Sequence, residues 1–412
     1  MHIDDGEQIS GDQGIGLWGC VDVYDQRELF EDLDSVRVVE LSRLGGQTGF
    51  SGIESVRKST GISLRRLMRP GLAAVDLGDA LCHALEQKTG RSLGEFSRVF
   101  LCHSHTDPQQ CHRLANQLTD RLALPENLIQ AFNHGCCGFL KLLQDAAMHI
   151  EAGDESIALL SVETPETWHD GSDRLFCGLV SAGATAVVVE RGRGLPLSVV
   201  RADDFQIPRE RRPNPDPLFR KDNADVFTFR GEPIHRTVMR MNAEPVFLNG
   251  IELMLTNLRA AMASMDLKPG QRVVVLPHQP SAKLLKALVA AAKNEFPGVE
   301  FLNNLDQYGN TISSSVPTIL CRLPQVLAAN GLRPLREGDH LVLLAAGICM
   351  EEIADHMTAG HACLTYTAQD LRHAQGLSLN GDLTYDQVES FGAPELFELI
   401  VPATAERMQQ VT

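Results

Sequence analysis

The sequence lacks three features, and each absence excludes a class of protein. No apolar run approaches the roughly 20 residues that a membrane-spanning helix needs, and residues 1–7 are too acidic and polar for a signal peptide. A formal net charge of −16 argues against a nucleic-acid binder, which needs concentrated Lys and Arg. Ten cysteines in 412 residues are too sparse for a disulfide framework. We therefore expect a cytoplasmic protein with reduced thiols that binds neither membranes nor nucleic acid.

The sequence does contain an internal repeat. One stretch runs from Arg98 to the Gly-Cys pair that ends at Cys136, and another runs from Arg272 to the Gly-Asn pair that ends at Asn310. Both span 38 positions (136 − 98 and 310 − 272), and one offset of 174 (272 − 98) relates them. His278 lies six residues into the second stretch. The repeat predicts a duplicated α/β unit in which each half supplies part of one active site.

Apolar runs alternate with amphipathic stretches along the chain, which predicts a largely parallel sheet covered by helices. We predict strands at 14–24, 98–103, 128–132, 156–162, 184–190, 272–276, 299–302 and 340–346. We predict helices at 25–35, 75–89, 107–122, 138–151, 245–265, 281–296 and 316–328. The predicted organisation is a flexible tail (1–12), a first half with the nucleophile (13–202), a polar connecting segment with five prolines (203–235), a second half (236–365) and an appendage (366–412).

Three residues at predicted strand-to-helix turns carry the chemistry. At the start of a helix, Cys136 would feel the positive end of the helix dipole, which stabilises the thiolate that accepts an acyl group. His278 follows a strand at the carboxyl edge of the sheet, where ligand sites of open α/β sheets lie. His278 and Asn310 would supply neutral donors for an enolate oxygen. The alternatives are a buried structural cysteine, a surface histidine and an ordinary helix N-cap.

These residues lie in three motifs, in the right order, that resemble the ketoacyl-acyl carrier protein synthase III branch of the thiolase-fold condensing enzymes. The family's Cys-Ala-Gly-Phe turn is similar to residues 136–139, Cys-Cys-Gly-Phe. Its Pro-His-Gln-Ala-Asn segment is similar to residues 277–281, Pro-His-Gln-Pro-Ser. Its Gly-Asn-Thr-Ser-x-x-Ser-x-Pro segment is similar to residues 309–317. The resemblance runs from about Gly14 to Met357.

The resemblance implies a thiolase-like α/β fold with two pseudo-duplicated halves and helix-covered mixed sheets. It implies that Cys136 is acylated, that His278 and Asn310 are its partners, and that backbone N–H groups at Cys136 and near Gly347 form an oxyanion hole. The implied substrates are thioesters of coenzyme A or of a phosphopantetheine-bearing acyl carrier protein, with no tightly bound cofactor and no metal. The implied assembly is a homodimer. The expected activity is that of an acyltransferase which forms a β-keto product by decarboxylative condensation.

Departures from the family pattern indicate a specialised role, in polyketide or other specialised lipid biosynthesis. Ser281 replaces the usual Asn, Ala182 replaces an acid, and the late Gly-Phe-Gly-x-Gly loop reads Ala-Ala-Gly-Ile-Cys around Gly347. One alternative is transfer of the acyl group to an alcohol or amine without decarboxylation, with His278 as general base. A different alternative is a silent partner subunit of a heterodimeric synthase.

Three further patterns in the sequence resemble binding sites. The glycines at 14, 16 and 19 have dinucleotide-binding spacing, but the polar residues before them cannot form the required buried strand, so these glycines are expected inside the first strand. The cluster Cys102-His103-Ser104-His105 with Cys111-His112 has no Cys-x-x-Cys pair, and a metal site is not expected. The densest basic patches are expected to be solvated surface. A more specific hypothesis is that they dock an acidic carrier protein or the phosphate of its phosphopantetheine. The residues are Arg65, Arg66, Arg69, Arg209, Arg211 and Arg212.

Overall fold

The computed structural model describes residues 14–46, 48–212, 216–350 and 355–367. The predicted tail and all but the first two residues of the predicted appendage lie outside these ranges. No helix within the described ranges is long and apolar enough to cross a membrane.

The strands and helices follow one another along both halves of the chain. The strands are β1 Ile15–Asp22, β2 Phe30–Asp34, β3 Leu64–Met68, β4 Arg98–Cys102, β5 Ile129–Phe132, β6 Ser156–Glu163, β7 Gly183–Arg191, β8 Leu195–Gln206, β9 Phe219–Phe227, β10 Pro233–Met241, β11 Val273–Pro277, β12 Glu300–Phe301, β13 His340–Ile348 and β14 His356–Thr365. The helices are α1 Ser35–Leu44, α2 Ile53–Thr60, α3 Ala74–Thr89, α4 Gln109–Arg121, α5 Gly138–Glu151, α6 Arg174–Cys177, α7 Ala243–Ser264, α8 Ala282–Glu295, α9 Leu305–Tyr308, α10 Ser315–Cys321 and α11 Leu323–Ala329.

The sheet topology shows the duplication directly. Ten strands are hydrogen-bonded in the order β12-β11-β13-β14-β8-β1-β7-β6-β4-β5. Outward from the centre, β1-β7-β6-β4-β5 is repeated by β8-β14-β13-β11-β12. In both series the two outer pairings are parallel and the inner pairings antiparallel. The two series meet where β1 pairs with β8. The predicted mixed sheet with two pseudo-duplicated halves is therefore confirmed. The prediction of a largely parallel sheet is wrong, because five of the nine pairings of the main sheet are antiparallel.

The helices cover the sheet because each buries an apolar stripe. The side chains of α5 and α10 share one core cluster with strands of both halves, which makes these two helices a central layer. The helices α3 and α4 pack on the other face of the first half, and α7 and α8 do so in the second half. The fold thus places the starts of α5 and α10, the two central helices, beside each other.

The prediction of a helix at 25–35 is wrong. A single helical turn, Arg27–Leu29, is followed by β2, which pairs with β3. The helix α1 begins only at Ser35, because the Asp34 carboxylate accepts the Arg37 backbone N–H at 2.8 Å and caps it. Polar helix formers dominate the stretch, but pairing with β3 overrides their propensity.

The predicted helix at 316–328 is two helices, α10 and α11, separated at Arg322. Pro324 cannot continue an existing helix, because it lacks the N–H that an inner turn requires, and it lies in the first turn of α11. The Arg322 guanidinium binds the Asp22 carboxylate through two contacts of 2.6 Å at the end of β1. The break therefore ties the second half to the first strand.

The predicted connecting segment, 203–235, includes the end of β8, all of β9 and the start of β10. The strands β9 and β10 pair antiparallel in a two-stranded ribbon outside the main sheet. The glycines near the start of the chain lie in or beside β1, as predicted, and no helix begins within them.

Candidate active site

Cys136 lies at the turn between β5 and α5. Gly135 before it has φ +66°, a conformation that favours glycine, and the short 3-10 turn Gly135–Cys137 leads directly into α5. The Cys136 side chain is partly exposed, whereas Cys137 is fully buried in the central core, as predicted. The turn therefore presents one thiol to the site and uses the next one for packing.

The electrostatics of the Cys136 thiol differ from the prediction of a stabilised thiolate. Burial and then the nearby Glu163 carboxylate raise the pKa of Cys136 to about 12, and only its own backbone N–H lowers that pKa. The start of α5 acts in the stabilising direction, but loss of water around the sulfur and a like charge oppose it. The resting thiol is therefore protonated.

Asn310 occupies the equivalent turn of the second half. Gly309 before it has φ +67°, which matches Gly135 in the first half. The Asn310 backbone N–H donates to the Leu179 carbonyl, and the Asn310 carbonyl accepts the Ser181 N–H, both at 2.9 Å. The Asn310 Oδ1 accepts the Ile312 backbone N–H at 3.0 Å, so the side-chain NH₂ is the end left to act as a donor.

The turn after Asn310 holds backbone strain. Ile312 has φ +53°, which a β-branched residue adopts only when its surroundings enforce it. Its side chain is buried in an apolar cluster with Ile348 and Met350, against which Cys136 also packs. The strain is thus located between the amide of Asn310 and the nucleophile.

His278 directly follows β11. Its backbone N–H donates to the Leu344 carbonyl of β13 at 2.7 Å, and its side chain is 1% exposed. The ring Nδ1 lies 3.0 Å from the Ser315 hydroxyl, which also accepts the Gln279 backbone N–H at 2.9 Å. Burial lowers the pKa of His278 to about 3, so the ring is neutral.

Close contacts bring the predicted residues together. A Cβ built on Gly347 of β13 would lie 2.5 Å from the Cys136 Cβ and 3.1 Å from its sulfur. A Cβ built on Gly138 would lie 3.1 Å from the Ser313 Cβ, which joins the start of α5 to the Asn310 turn. Ser315 joins the same turn to His278. The four predicted site residues therefore belong to one contiguous structural unit.

Sequence reasoning missed Glu163, at the end of β6. Its carboxylate is fully buried and accepts the Ser104 backbone N–H at 3.1 Å, the Ser104 hydroxyl at 2.8 Å and the Ser313 hydroxyl at a shorter distance. Burial raises the pKa of Glu163 to about 7. One sequence signal existed, because Ser104 corresponds to His278 through the repeat offset (278 − 174).

One of the six arginines in the docking hypothesis, Arg65, is not at the surface. Arg65 is completely buried, and its guanidinium donates to the Gly178 carbonyl at 2.7 and 3.0 Å. The Arg66 guanidinium lies 5.2 Å from the ring centroids of both Tyr24 and Tyr308. Arg65 holds the first half together and cannot contact a carrier protein.

The histidine and cysteine cluster near β4 is a packing feature. The His103 Nδ1 lies 2.6 Å from the Val162 carbonyl, and the His103 and His105 rings stack with centroids 6.2 Å apart. Among the described residues, no group of three or more His, Cys, Asp or Glu side chains converges to hold a metal ion.

Comparisons with known proteins find relatives both in sequence and in fold. Residues 262–351 match the family model described as 3-oxoacyl-[acyl-carrier-protein] synthase III C terminal. The chain is 26% identical over 337 residues to a β-ketoacyl-[acyl-carrier-protein] synthase III from Rhodospirillum centenum, covering 80% of this chain and 94% of that protein.

Solved structures share the architecture. The 3-oxoacyl-[acyl-carrier-protein] synthase III from Aquifex aeolicus matches with a TM-score of 0.59 at 20% identity, covering 88% of this chain and all of that one. The priming β-ketosynthase from the R1128 polyketide biosynthetic pathway matches with a TM-score of 0.62 at 19% identity, covering 85% and 95%.

The duplicated mixed sheet with its central helices defines a thiolase-fold protein of the α/β class. Within that class, the chain is similar to the ketoacyl-acyl carrier protein synthase III condensing enzymes, whose C-terminal family model it matches over residues 262–351.

Proposed function

We propose that the protein condenses an acyl group held on Cys136 with an extender thioester. In the first step the Cys136 sulfur attacks the carbonyl of an acyl thioester, the thiol loses its proton, and the carrier leaves as a free thiol. In the second step a malonyl-type thioester loses carbon dioxide, and the electron pair becomes an enolate. The enolate carbon attacks the acyl carbonyl, the Cys136 sulfur leaves and regains a proton, and a β-keto thioester is released.

The orientation of the Asn310 amide is the observation that carries this proposal. With Oδ1 engaged by the Ile312 N–H, the NH₂ group is the donor available to an enolate oxygen. The amide cannot flip without leaving that N–H unpaired, which costs about 1–3 kcal/mol for a buried group. Decarboxylative condensation needs such a preorganised neutral donor, whereas transfer to an alcohol or amine does not.

His278 supports the proposal through its tautomer. Since the Ser315 hydroxyl oxygen already accepts the Gln279 N–H, its own proton is free to be donated to His278 Nδ1. The remaining ring proton is then on Nε2, which makes Nε2 a second neutral donor. A ring whose pKa is lowered to about 3 is a poor general base. This favours condensation over an alcohol or amine acceptor.

The contact at Gly347 supports the proposal that the strand beside the nucleophile stabilises an oxyanion. Only glycine fits where its Cα faces the Cys136 side chain, and the backbone there can approach the carbonyl of an acyl-cysteine closely. We propose that backbone N–H groups at this contact and at Cys136 stabilise the oxyanion that forms during both acyl transfers.

The biological setting of the reaction is part of the same proposal. Coenzyme A or acyl carrier protein thioesters would be the substrates, with no tightly bound cofactor, and the enzyme would act as a cytoplasmic homodimer. The replacements at Ala182 and Ser281, and the altered glycine loop around Gly347, favour polyketide or specialised lipid biosynthesis over the family's usual fatty-acid role.

The test uses intact-protein mass spectrometry after incubation with acetyl-, hexanoyl- and malonyl-coenzyme A, with carbon dioxide release measured in parallel. We expect an acyl adduct that is absent in Cys136→Ala, and carbon dioxide release that is lost in Asn310→Ala. A stable adduct with no carbon dioxide release would favour the acyltransferase. No adduct with any thioester would favour the silent partner subunit.

A further inference from the structure

Glu163 is a buried carboxylate with no cationic partner. Within the described part of the chain its hydrogen bonds come from Ser104 and Ser313, and neither an Arg nor a Lys is paired with it. Burying a carboxylate without a counter-ion is costly and is retained where it performs a task. The positions of its two serine partners indicate what that task is.

The two serines belong to different halves of the molecule. Ser104 follows β4 in the first half, at the position that His278 occupies in the second half. Ser313 belongs to the turn that follows Asn310, in the second half. Because Glu163 itself ends β6, its carboxylate joins the first half of the sheet to the turn that carries the Asn310 amide.

The same carboxylate lies beside the nucleophile. Ser313 packs against Gly138, two residues after Cys136, and the Glu163 charge acts on the Cys136 thiol. The carboxylate also faces the buried Cys102 thiol, and His103 on the adjacent loop directs Nδ1 to a backbone carbonyl. The carboxylate thus faces both the donor turn and the nucleophile.

We infer that Glu163 is a positioning residue: it holds the Asn310 turn against the start of α5 through Ser313, and its negative charge keeps the resting Cys136 thiol protonated. This inference rests on the proposed function for its catalytic consequence, but the structure of the turn and the reactivity of the thiol can be measured without any turnover. A protonated resting thiol is protected from adventitious electrophiles until a thioester binds.

Two variants separate the two tasks. Glu163→Gln removes the charge and one acceptor, whereas Ser313→Ala removes the link to the Asn310 turn and leaves the carboxyl group with both Ser104 hydrogen bonds. Glu163→Asp keeps the charge on a shorter side chain. It replaces Glu163→Gln in the exchange and carbon dioxide measurements if Glu163→Gln does not fold. Glu166→Gln is the matched control, because Glu166 is another buried acid of the same region but bonds to the Met68 N–H of β3 instead.

Three measurements on the full-length protein decide the inference. The first is the rate of Cys136 alkylation by iodoacetamide at pH 8.5, followed by peptide mass spectrometry. The second is hydrogen exchange of the peptide that contains residues 310–315. The third is carbon dioxide release from malonyl-coenzyme A, resolved into kcat and KM.

We expect Glu163→Gln to be alkylated roughly tenfold faster than wild type, since removing a nearby like charge lowers a thiol pKa by about one unit. If Glu163→Gln does not fold, the wild-type protein carries the test of the charge role. Because Glu163 ionises near pH 7, the alkylation rate of Cys136 should rise clearly less than the roughly 300-fold expected of a thiol with constant pKa between pH 6 and 8.5, and the full rise would overturn the charge role. Both Glu163→Gln (or Glu163→Asp) and Ser313→Ala should exchange faster at 310–315 and lose at least about tenfold in kcat with little change in KM. Glu166→Gln should match wild type in alkylation rate, hydrogen exchange and carbon dioxide release.

Equal alkylation of wild type and Glu163→Gln would overturn the charge role, and unchanged exchange at 310–315 in Ser313→Ala would overturn the positioning role. If the wild-type protein releases no carbon dioxide, the proposed function fails by itself. The alkylation and exchange measurements still decide what Glu163 does.

Discussion

The Cα of Gly347 faces the side chain of Cys136 so closely that a Cβ at position 347 would lie 2.5 Å from the Cys136 Cβ. No pair of Cβ atoms can be this close, so one of the two backbones would have to move. The contact joins β13 of the second half to the 3-10 turn that precedes α5 in the first half. It sets the distance between the nucleophile and the strand that would stabilise the oxyanion.

Gly347→Ala therefore tests the contact. We expect it to cost about 1–3 kcal/mol in unfolding free energy through overpacking and to reduce acylation of Cys136 by at least roughly a hundredfold, since the oxyanion donors move. Gly250→Ala in α7 is the control, because its nearest neighbour would be 3.6 Å away, and it should leave acylation unchanged. Acylation of Gly347→Ala at the wild-type rate would contradict the assignment.

Asn310→Asp separates the turn from the donor. An aspartate oxygen can still accept the Ile312 N–H, so the turn is retained, but the NH₂ group is lost and a negative charge repels the enolate. We expect acyl adduct formation near the wild-type rate and carbon dioxide release reduced by roughly a hundredfold or more. Mass spectrometry and carbon dioxide assays on Asn310→Asp and wild type check this, and release within threefold of wild type would refute the donor role.

The pKa of Glu163 predicts how stability depends on pH. Burial raises this pKa to about 7 from an ordinary value of 4.5, so between these values the folded state binds the proton more tightly than the unfolded state. The stabilisation that the folded state gains from the protonated Glu163 is present at low pH and is lost as pH rises through 7. Relative to Glu163→Gln, the wild type should lose about 3 kcal/mol of unfolding free energy between pH 4 and 8. Urea titrations at several pH values measure the unfolding free energies of both proteins. A difference between wild type and Glu163→Gln that does not change with pH would contradict the prediction.

Arg65 should behave as a core residue. Its guanidinium is buried and hydrogen-bonded to the Gly178 carbonyl, so Arg65→Glu should lower the unfolding free energy by at least about 3 kcal/mol. The molecules that remain folded should bind a carrier protein as wild type does. Arg209→Glu, at an exposed position, should stay within about 0.5 kcal/mol of wild type. Thermal unfolding of both variants tests the prediction, and a stable Arg65→Glu protein with weakened carrier binding would restore the docking hypothesis.

Local sequence patterns predicted most of the sheet because the signal was short-range. The strands at Arg98 and Arg272 are short runs of apolar residues bounded by polar ones, and their common spacing to Cys136 and Asn310 revealed the duplication. The matching φ angles of Gly135 and Gly309 follow from that duplication. The fold class was therefore predictable without any contact information.

What the sequence did not predict depends on distant residues. The strand at Phe30 forms because it pairs with β3, about 35 residues later, and polar helix formers concealed it. The role of Glu163 arises from residues 59 and 150 positions away, Ser104 and Ser313. The neutral resting state of Cys136 has the same origin, because burial and Glu163 outweigh the helix start that the sequence does reveal.

In the proposed reaction, Cys136 carries an acyl group that is then condensed with a decarboxylated extender. The most direct test loads the wild-type protein with hexanoyl-coenzyme A, adds malonyl-coenzyme A, and follows the mass of the Cys136 peptide together with carbon dioxide. We expect an acyl adduct on Cys136 that disappears as an equal amount of carbon dioxide and of β-keto product forms. An adduct that persists without carbon dioxide release, or product formation by Cys136→Ala, would contradict it.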